Sequence, residues 1–261
     1  MLIRGLCELS QVTGQARWRE ASEAALADVD RALRRGPLFA HQAQAGAREP
    51  EGFFLSDQVE MIAALDALAA LNTEHAVEWT QAADQTLEAT RALLEDRERG
   101  GFHARSAQFG ARGVFGDPLK PVRENASMAR LLLRRGQRND DAALREAALR
   151  TLRSLAQERV IAAEGRNIGD YLLALEQASA PHVMLSVVGP AADLRTKALL
   201  ERARALFLPQ GIVAHFEPGT GHYPYPERPA VYLCSDAACS GPIFESEALK
   251  SSVQSFVADA S

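Results

Sequence analysis

The sequence predicts a mainly α protein, an array of helical hairpins over residues 1–180 followed by a small α/β unit over 181–261. Three observations lead there. The first is a pattern that recurs three times: an apolar helical run, a Gly or Asn turn, a bulky residue, then an Ala-rich run. Its copies are Leu6, Gly14, Trp18 and Ala21; Leu65, Asn72, Trp79 and Ala82; and Leu132, Gly136, Leu144 and Ala147. They recur at intervals of about 60 residues, enough for one antiparallel helix pair and a variable loop. The second is the three- and four-residue spacing of apolar side chains before residue 180. The third is a change near Val183 to short runs rich in β-branched residues.

Each predicted helix has its own signature. Over 56–71, Val59, Ile62, Ala63, Leu65, Ala69 and Ala70 define an apolar face, and Ser56 or Asp57 is placed to cap the first turn. Over 77–94, Ala83, Leu87, Thr90 and Leu94 share one face while Glu78, Asp84 and Glu88 point elsewhere. Residues 125–135 form a helix expected to end at Gly136, and residues 140–157 another, carrying Ala143, Leu144, Ala147, Ala148, Leu152 and Leu155. Alanine on the packing faces lets neighbouring axes approach closely. Trp18 and Trp79 fall at equivalent points of the repeat and are expected to pack alike.

In the second region Val183–Val188 reads as a buried strand closed by Gly189-Pro190. A helix starting near Asp193 places Leu194, Ala198, Leu199, Ala203 and Leu206 on one side before Pro209 and Gly211. Residues 212–216 and 230–234 read as two further strands. Strand, helix, strand predicts a parallel unit packed against the hairpins. Residues 218–229 form a Gly- and Pro-rich loop, and 245–258 a closing helix.

Composition narrows the function classes. The chain has 261 residues, 47% apolar and 24% charged, with a net charge of −5, which gives no reason to expect nucleic acid. No apolar run reaches the ~20 residues of a membrane span. The start, Met1-Leu2-Ile3-Arg4 leading to Glu8, lacks the features of a secretory signal, so a cytoplasmic location is expected. Three cysteines in such a chain are expected to be reduced.

Candidate chemistry is sparse. Gly100-Gly101-Phe102-His103 follows a helix pair, where a short turn can present side chains to a cavity. His103 is a candidate acid or base because imidazole titrates near neutrality, with loop packing as the alternative. Asp57 and Glu124 are candidate catalytic carboxylates, Asn125 and Gly101 candidate ligand-binding positions; helix-start roles explain Asp57, Glu124 and Asn125 equally well. Cys234, Cys239 and upstream His222 are too few for a tetrahedral metal site, so a structural role around a turn, or a reversible disulfide, is expected instead. Residues 222–226, His-Tyr-Pro-Tyr-Pro, read as a recognition loop or a rigid connector. No cofactor is expected, and Gly219-Thr220-Gly221 is too short for a phosphate loop.

Several motifs carry a resemblance: Asp57-Gln58 opening a helix, Gly100-Gly101-Phe102, Asn125-Ala126-Ser127, and above all Tyr232-Leu233-Cys234 with Cys239-Ser240-Gly241-Pro242. The chain resembles the thioredoxin-domain proteins related to spermatogenesis-associated protein 20. Their helical part is similar to six-hairpin glycosidases and N-acylglucosamine 2-epimerases. The resemblance implies an α/α toroid, here incomplete because three hairpins supply about half the ring. It also implies a thioredoxin-like domain with a Cys-x-x-Cys site, which this sequence lacks, and an aromatic and an acid where it reads His103-Ala104. Met1 starts inside the apolar first helix of a pair. The expected partners are therefore a second copy in a homodimer or a missing N-terminal thioredoxin-bearing segment, with a small-molecule or sugar ligand possible. Two functions follow: a noncatalytic binding or scaffold module, or a carbohydrate-active domain, epimerase- or glycosidase-like, with Asp57, His103, Glu124 and Asn125 around the hairpin mouth.

Overall fold

A computed structural model describes residues 1–43, 52–71, 74–106, 119–180, 182–208, 211–220, 223–235 and 238–260. The chain is mainly α and divides into two compact units, Met1–Ala178 and Ser179–Ser261. In the first, helices α1 (Leu2–Thr13) and α2 (Ala16–Leu33) lead into a short antiparallel pair, β1 (Arg34–Arg35) and β2 (Leu38–Phe39). Then come α3 (Leu55–Ala69), α4 (Ala76–Leu94), α5 (Val122–Arg138), α6 (Ala142–Leu155), α7 (Glu158–Glu164), a 3₁₀ turn and α8 (Gly169–Ser179).

The helices pair as α1 with α2, α3 with α4 and α5 with α6, and α1, α3 and α5 line up side by side. Their apolar spacings fill one core. Leu55, Ile62, Leu65 and Leu68 of α3 meet Trp79, Ala83, Leu87 and Leu94 of α4, and Met128 and Leu132 of α5 meet Leu144, Ala148 and Leu152 of α6. Fully burying each large apolar side chain is worth roughly 1.5–3 kcal/mol. Buried Arg135 of α5 ties the pairs together, its guanidinium reaching Asp66 of α3 and Asp84 of α4.

The helix ends correct several expectations. Gly14 caps α1 in the left-handed conformation at φ 65°. Gly136, by contrast, is not a terminator: α5 runs on to Arg138, and the turn lies at Asn139–Asp141, where Asp140 has φ 50°. Gly136 is there for space, since a Cβ would come within 2.7 Å of Arg145 Cγ and 3.0 Å of Asp141 O. Asp141 caps α6 by accepting from the Ala143 and Leu144 amides at 2.9 and 3.1 Å. Neither Ser56 nor Asp57 caps α3, which starts at Leu55 after Phe54. Asn72 lies outside the described residues, as do Pro209 and His222. The two tryptophans differ: Trp79 is buried, whereas Trp18 is only half-buried, with the Arg17 guanidinium 4.4 Å from its ring centre.

The second unit contains β3 (Val183–Val188), α9 (Leu194–Arg204), β4 (Gly211–Phe216), β5 (Ala230–Cys234) and α10 (Leu249–Ala260). The sheet order is β4-β3-β5. Strands β3 and β4 are parallel, joined through α9, but β5 runs antiparallel to β3, so the sheet is mixed rather than parallel. The physical reason is the connection: among the described residues no helix separates β4 from β5, and without a crossover the chain returns in the opposite direction. Leu185, Val187, Leu199, Val231, Leu233 and Leu249 share one core, while Tyr232, Phe216, Tyr223 and Phe244 share another. Cys234 and Cys239 form a disulfide, correcting the reading of three reduced thiols. Cys7 is the free cysteine, buried in α1.

Candidate functional site

Antiparallel pairing brings the N-termini of α3 and α5 and the C-termini of α4 and α6 to one end of the first unit. The connection after α4 is laid across that end. Isolated bridges Glu95–Phe102 and Phe54–Arg105 pin it at two points, and the Leu55 amide donates to Ala104 O at 2.9 Å. Every predicted site residue lies on these elements.

The turn itself is built around Asp96. Its Oδ1 accepts from the Glu98 and Arg99 amides at 3.2 and 2.9 Å, an Asx-type turn that leads into Gly100 and Gly101. Both glycines are left-handed, at φ 75° and 80°. A Cβ on Gly100 would stand 2.7 Å from Arg150 O, and one on Gly101 2.7 Å from Ser154 Oγ, so the turn also needs them small. Lys120 clamps it from outside, donating to Asp96 Oδ2 at 2.8 Å and to Gly100 O at 2.6 Å. Burial raises the cost of the Asp96 charge, but Lys120 and the Arg99 amide more than compensate and hold its carboxyl at about 2.

Asn125 is wholly buried in the first turns of α5. Its Oδ1 accepts from the Phe102 amide at 2.6 Å, and its Nδ2 donates to Phe102 O at 2.9 Å and Pro121 O at 2.8 Å. The side chain thus acts as a strand-like bracket for Phe102. That is a structural use of the residue, and it brings Asn125 and Gly101 together.

His103 sits next along. Its amide donates to Leu94 O at 2.9 Å, while the buried Nδ1 of its ring has no hydrogen-bond partner among the described residues. Burial, then the Lys120 charge, pull the imidazole below its ordinary value against the opposing pull of Asp96, a shift that favours the neutral ring. A neutral ring with an unpaired nitrogen can accept a proton. Asp57 pairs with other groups, His41 Nδ1 at 3.0 Å and Ser56 Oγ at 3.5 Å. Burial raises its carboxyl above the usual carboxylate value, although the His41 contact opposes the shift.

Glu124 lines a groove of about 470 Å³ with Lys120, Arg123, Val160, Arg159 and Glu164. The groove is open rather than deep, and both carboxylates are half-buried. Sequence reasoning named Glu124 but missed Lys120, Asp96, His41, Arg159 and Glu164. The signal for Asp96 was present as an Asp preceding Gly-Gly at the end of a helix. The others meet only through tertiary packing. Among the described residues no group of three His, Cys, Asp or Glu side chains is arranged to hold a metal, and no helix is long and apolar enough to cross a membrane.

No protein-family model matches the sequence, and no curated protein is similar to it at a significant level. Among solved structures, a GH76 α-mannanase of Bacteroides thetaiotaomicron is similar over 59% of this chain, at 17% identity and a TM-score of 0.48. The chain spans 41% of that structure's length. A likeness of this size carries no conclusion about activity.

Proposed function

We propose that the helical unit is a noncatalytic binding module whose recognition surface is the groove between the start of α5 and α7, taking a small polar ligand such as a sugar. One observation carries this reading. Three polar side chains at the helix mouth are already committed, Asn125 to Phe102, Asp96 to Lys120 and Asp57 to His41, and the unpaired Nδ1 of His103 is buried. What remains open to a ligand is the groove, with carboxylate and guanidinium groups on one apolar floor, a composition suited to hydroxyl groups. The finer form of the proposal follows the resemblance stated above: a scaffold that works with a thioredoxin-bearing segment or partner, or as a homodimer.

A second reading has its own support. Glu124 and Glu164 line the same groove, and glycoside hydrolysis uses two carboxylates. Incubation with a panel of mono- and oligosaccharides, followed both by heteronuclear NMR and by product analysis, separates the two. Saturable shifts at the groove, weakened about tenfold by Arg159→Gln, with no product formed, are expected. Turnover abolished by Glu124→Gln or Glu164→Gln would establish the enzyme instead.

A further inference from the structure

Helix α5 is enclosed on most sides, with Ala129, Leu131, Leu132 and Leu133 all buried. Beyond its first turn, the strip that reaches solvent runs through Ser127, Arg130, Arg134, Gln137 and Arg138, at three- and four-residue spacings, and no carboxylate of α5 stands among them. In a chain of net charge −5 this strip is basic. Its charges are poorly neutralised. Arg138 Nη2 is 3.6 Å from Asp66, a carboxylate already bound by Arg135, and that nitrogen is buried without a hydrogen-bond partner. Arg130 donates to the neutral Gln177 Oε1 at 3.2 Å, and Gln177 returns a bond to Arg130 O at 3.2 Å, which fixes the residue in place. Arg134 has no hydrogen bond or ion pair among the described residues.

Like charges four residues apart on a helix repel. Arg134 stands between two of them, and it is exposed, yet enough protein surrounds it that desolvation draws its guanidinium below the ordinary arginine value. The charges of Arg130, Arg4 and Arg138 add to that shift, and Asp66 opposes it. A charged group that is reachable from solvent but poorly hydrated gains more from a counterion than one in bulk water. The planar fork of arginine matches the paired oxygens of phosphate and carboxylate groups.

We propose that Arg130, Arg134 and Arg138 form an anion-binding site for the phosphate or carboxylate group of a small molecule. The site lies along α5 and does not depend on the groove at its start. Arg134 supplies the free fork, while Arg130, fixed in place by Gln177, and Arg138 supply positive charge on either side of it.

Calorimetric titration of the whole chain at low ionic strength with inorganic phosphate, glucose 6-phosphate and glucuronate provides the test. Saturable binding of at least one anion is expected, weakened about tenfold or more by Arg134→Gln and separately by Arg130→Gln. Arg153→Gln, which alters an exposed arginine paired with Glu146, should leave it unchanged. Preference for the two phosphates over glucuronate assigns the site to phosphate, and the reverse assigns it to carboxylates. No saturable binding of any of the three up to about 10 mM would overturn the proposal. So would equal weakening in all three variants, the signature of general charge screening. Arg134→Lys, which keeps the charge but loses the fork, should bind with intermediate strength.

Discussion

Helices α1 and α5 open equivalent hairpins, yet they are buried very differently. In α5 the buried positions extend over most of the circumference, while α1 buries only Ile3 and Cys7. Leu2, Leu9 and Val12 of α1 remain 71%, 44% and 81% exposed. The difference comes from neighbours: α5 packs on α3, α6 and the 3₁₀ turn before α8, whereas α1 packs on α2 and α3. An amphipathic pattern specifies which face can be buried. The row of helices decides whether it is. The same contrast separates the buried Trp79 from the half-buried Trp18, two residues that the repeat makes equivalent.

That contrast is sharpest at the tryptophans, where the largest effect is expected. Trp79→Ala should cost about 3–5 kcal/mol of stability. Trp18→Ala should cost less, about 1–2 kcal/mol, because part of its surface stays exposed in the folded state. Equal losses in urea denaturation would show that burial along the row does not control these sites. Next in size comes Asn125→Ala. It strands the amide and carbonyl of fully buried Phe102, at about 1–3 kcal/mol for each unmatched group that water does not reach, so about 2–6 kcal/mol in sum. Hydrogen exchange at the Phe102 amide should accelerate in parallel. An unchanged exchange rate would mean that the bracket does not hold the turn.

How much of this was legible in the sequence depended on the range of the interaction. The hairpin helices, α9, α10 and three strands were readable because periodicity and β-branched runs are local, whereas α7 and α8 were not picked out as separate helices. Gly136 was misread because a glycine selected for close approach, here to Arg145, looks identical in sequence to one that ends a helix. The direction of β5 was not readable, since strand pairing is a tertiary choice. At the candidate site Gly100, Gly101 and Asn125 carried a signal, but their roles are structural. Lys120, Arg159 and Glu164 carried none, because the groove they line joins the start of α5 to α7, elements far apart in the chain.

The exposed edge of α1 gives a third test. On the proposal that a second copy covers Leu2, Leu9 and Val12, light scattering at micromolar concentration should find a dimer that Val12→Asp converts to monomer. Stability of the monomeric variant should change by no more than ~0.5 kcal/mol, as for other exposed substitutions. Leu6 is a poorer probe, since it is half-buried and a charge there would disturb the fold itself. A wild-type monomer with an unperturbed variant would leave the edge of α1 as plain solvent-facing surface.

The smallest effect lies at the Lys120 clamp, which is intermediate between the wet edge and the dry interior: 20% of the Lys120 side chain and 15% of that of Asp96 are exposed. The Asp96 carboxyl is depressed from 3.8 to about 2 in the folded protein, so the unfolded chain takes up its proton first as pH falls. Its contribution to stability is therefore complete above about pH 4 and is lost as pH falls through 2. For a pair still in contact with solvent that contribution is at most ~1 kcal/mol. Asp57 has the opposite sign. Its raised carboxyl favours the folded state most when protonated, below the ordinary carboxylate value, and that benefit fades as pH rises. Denaturation midpoints from pH 2 to 7 for the wild type and Lys120→Met should differ near neutrality and converge toward pH 2. If the difference instead persists undiminished at pH 2, the packing of the Lys120 stem holds the turn, and its charge does not.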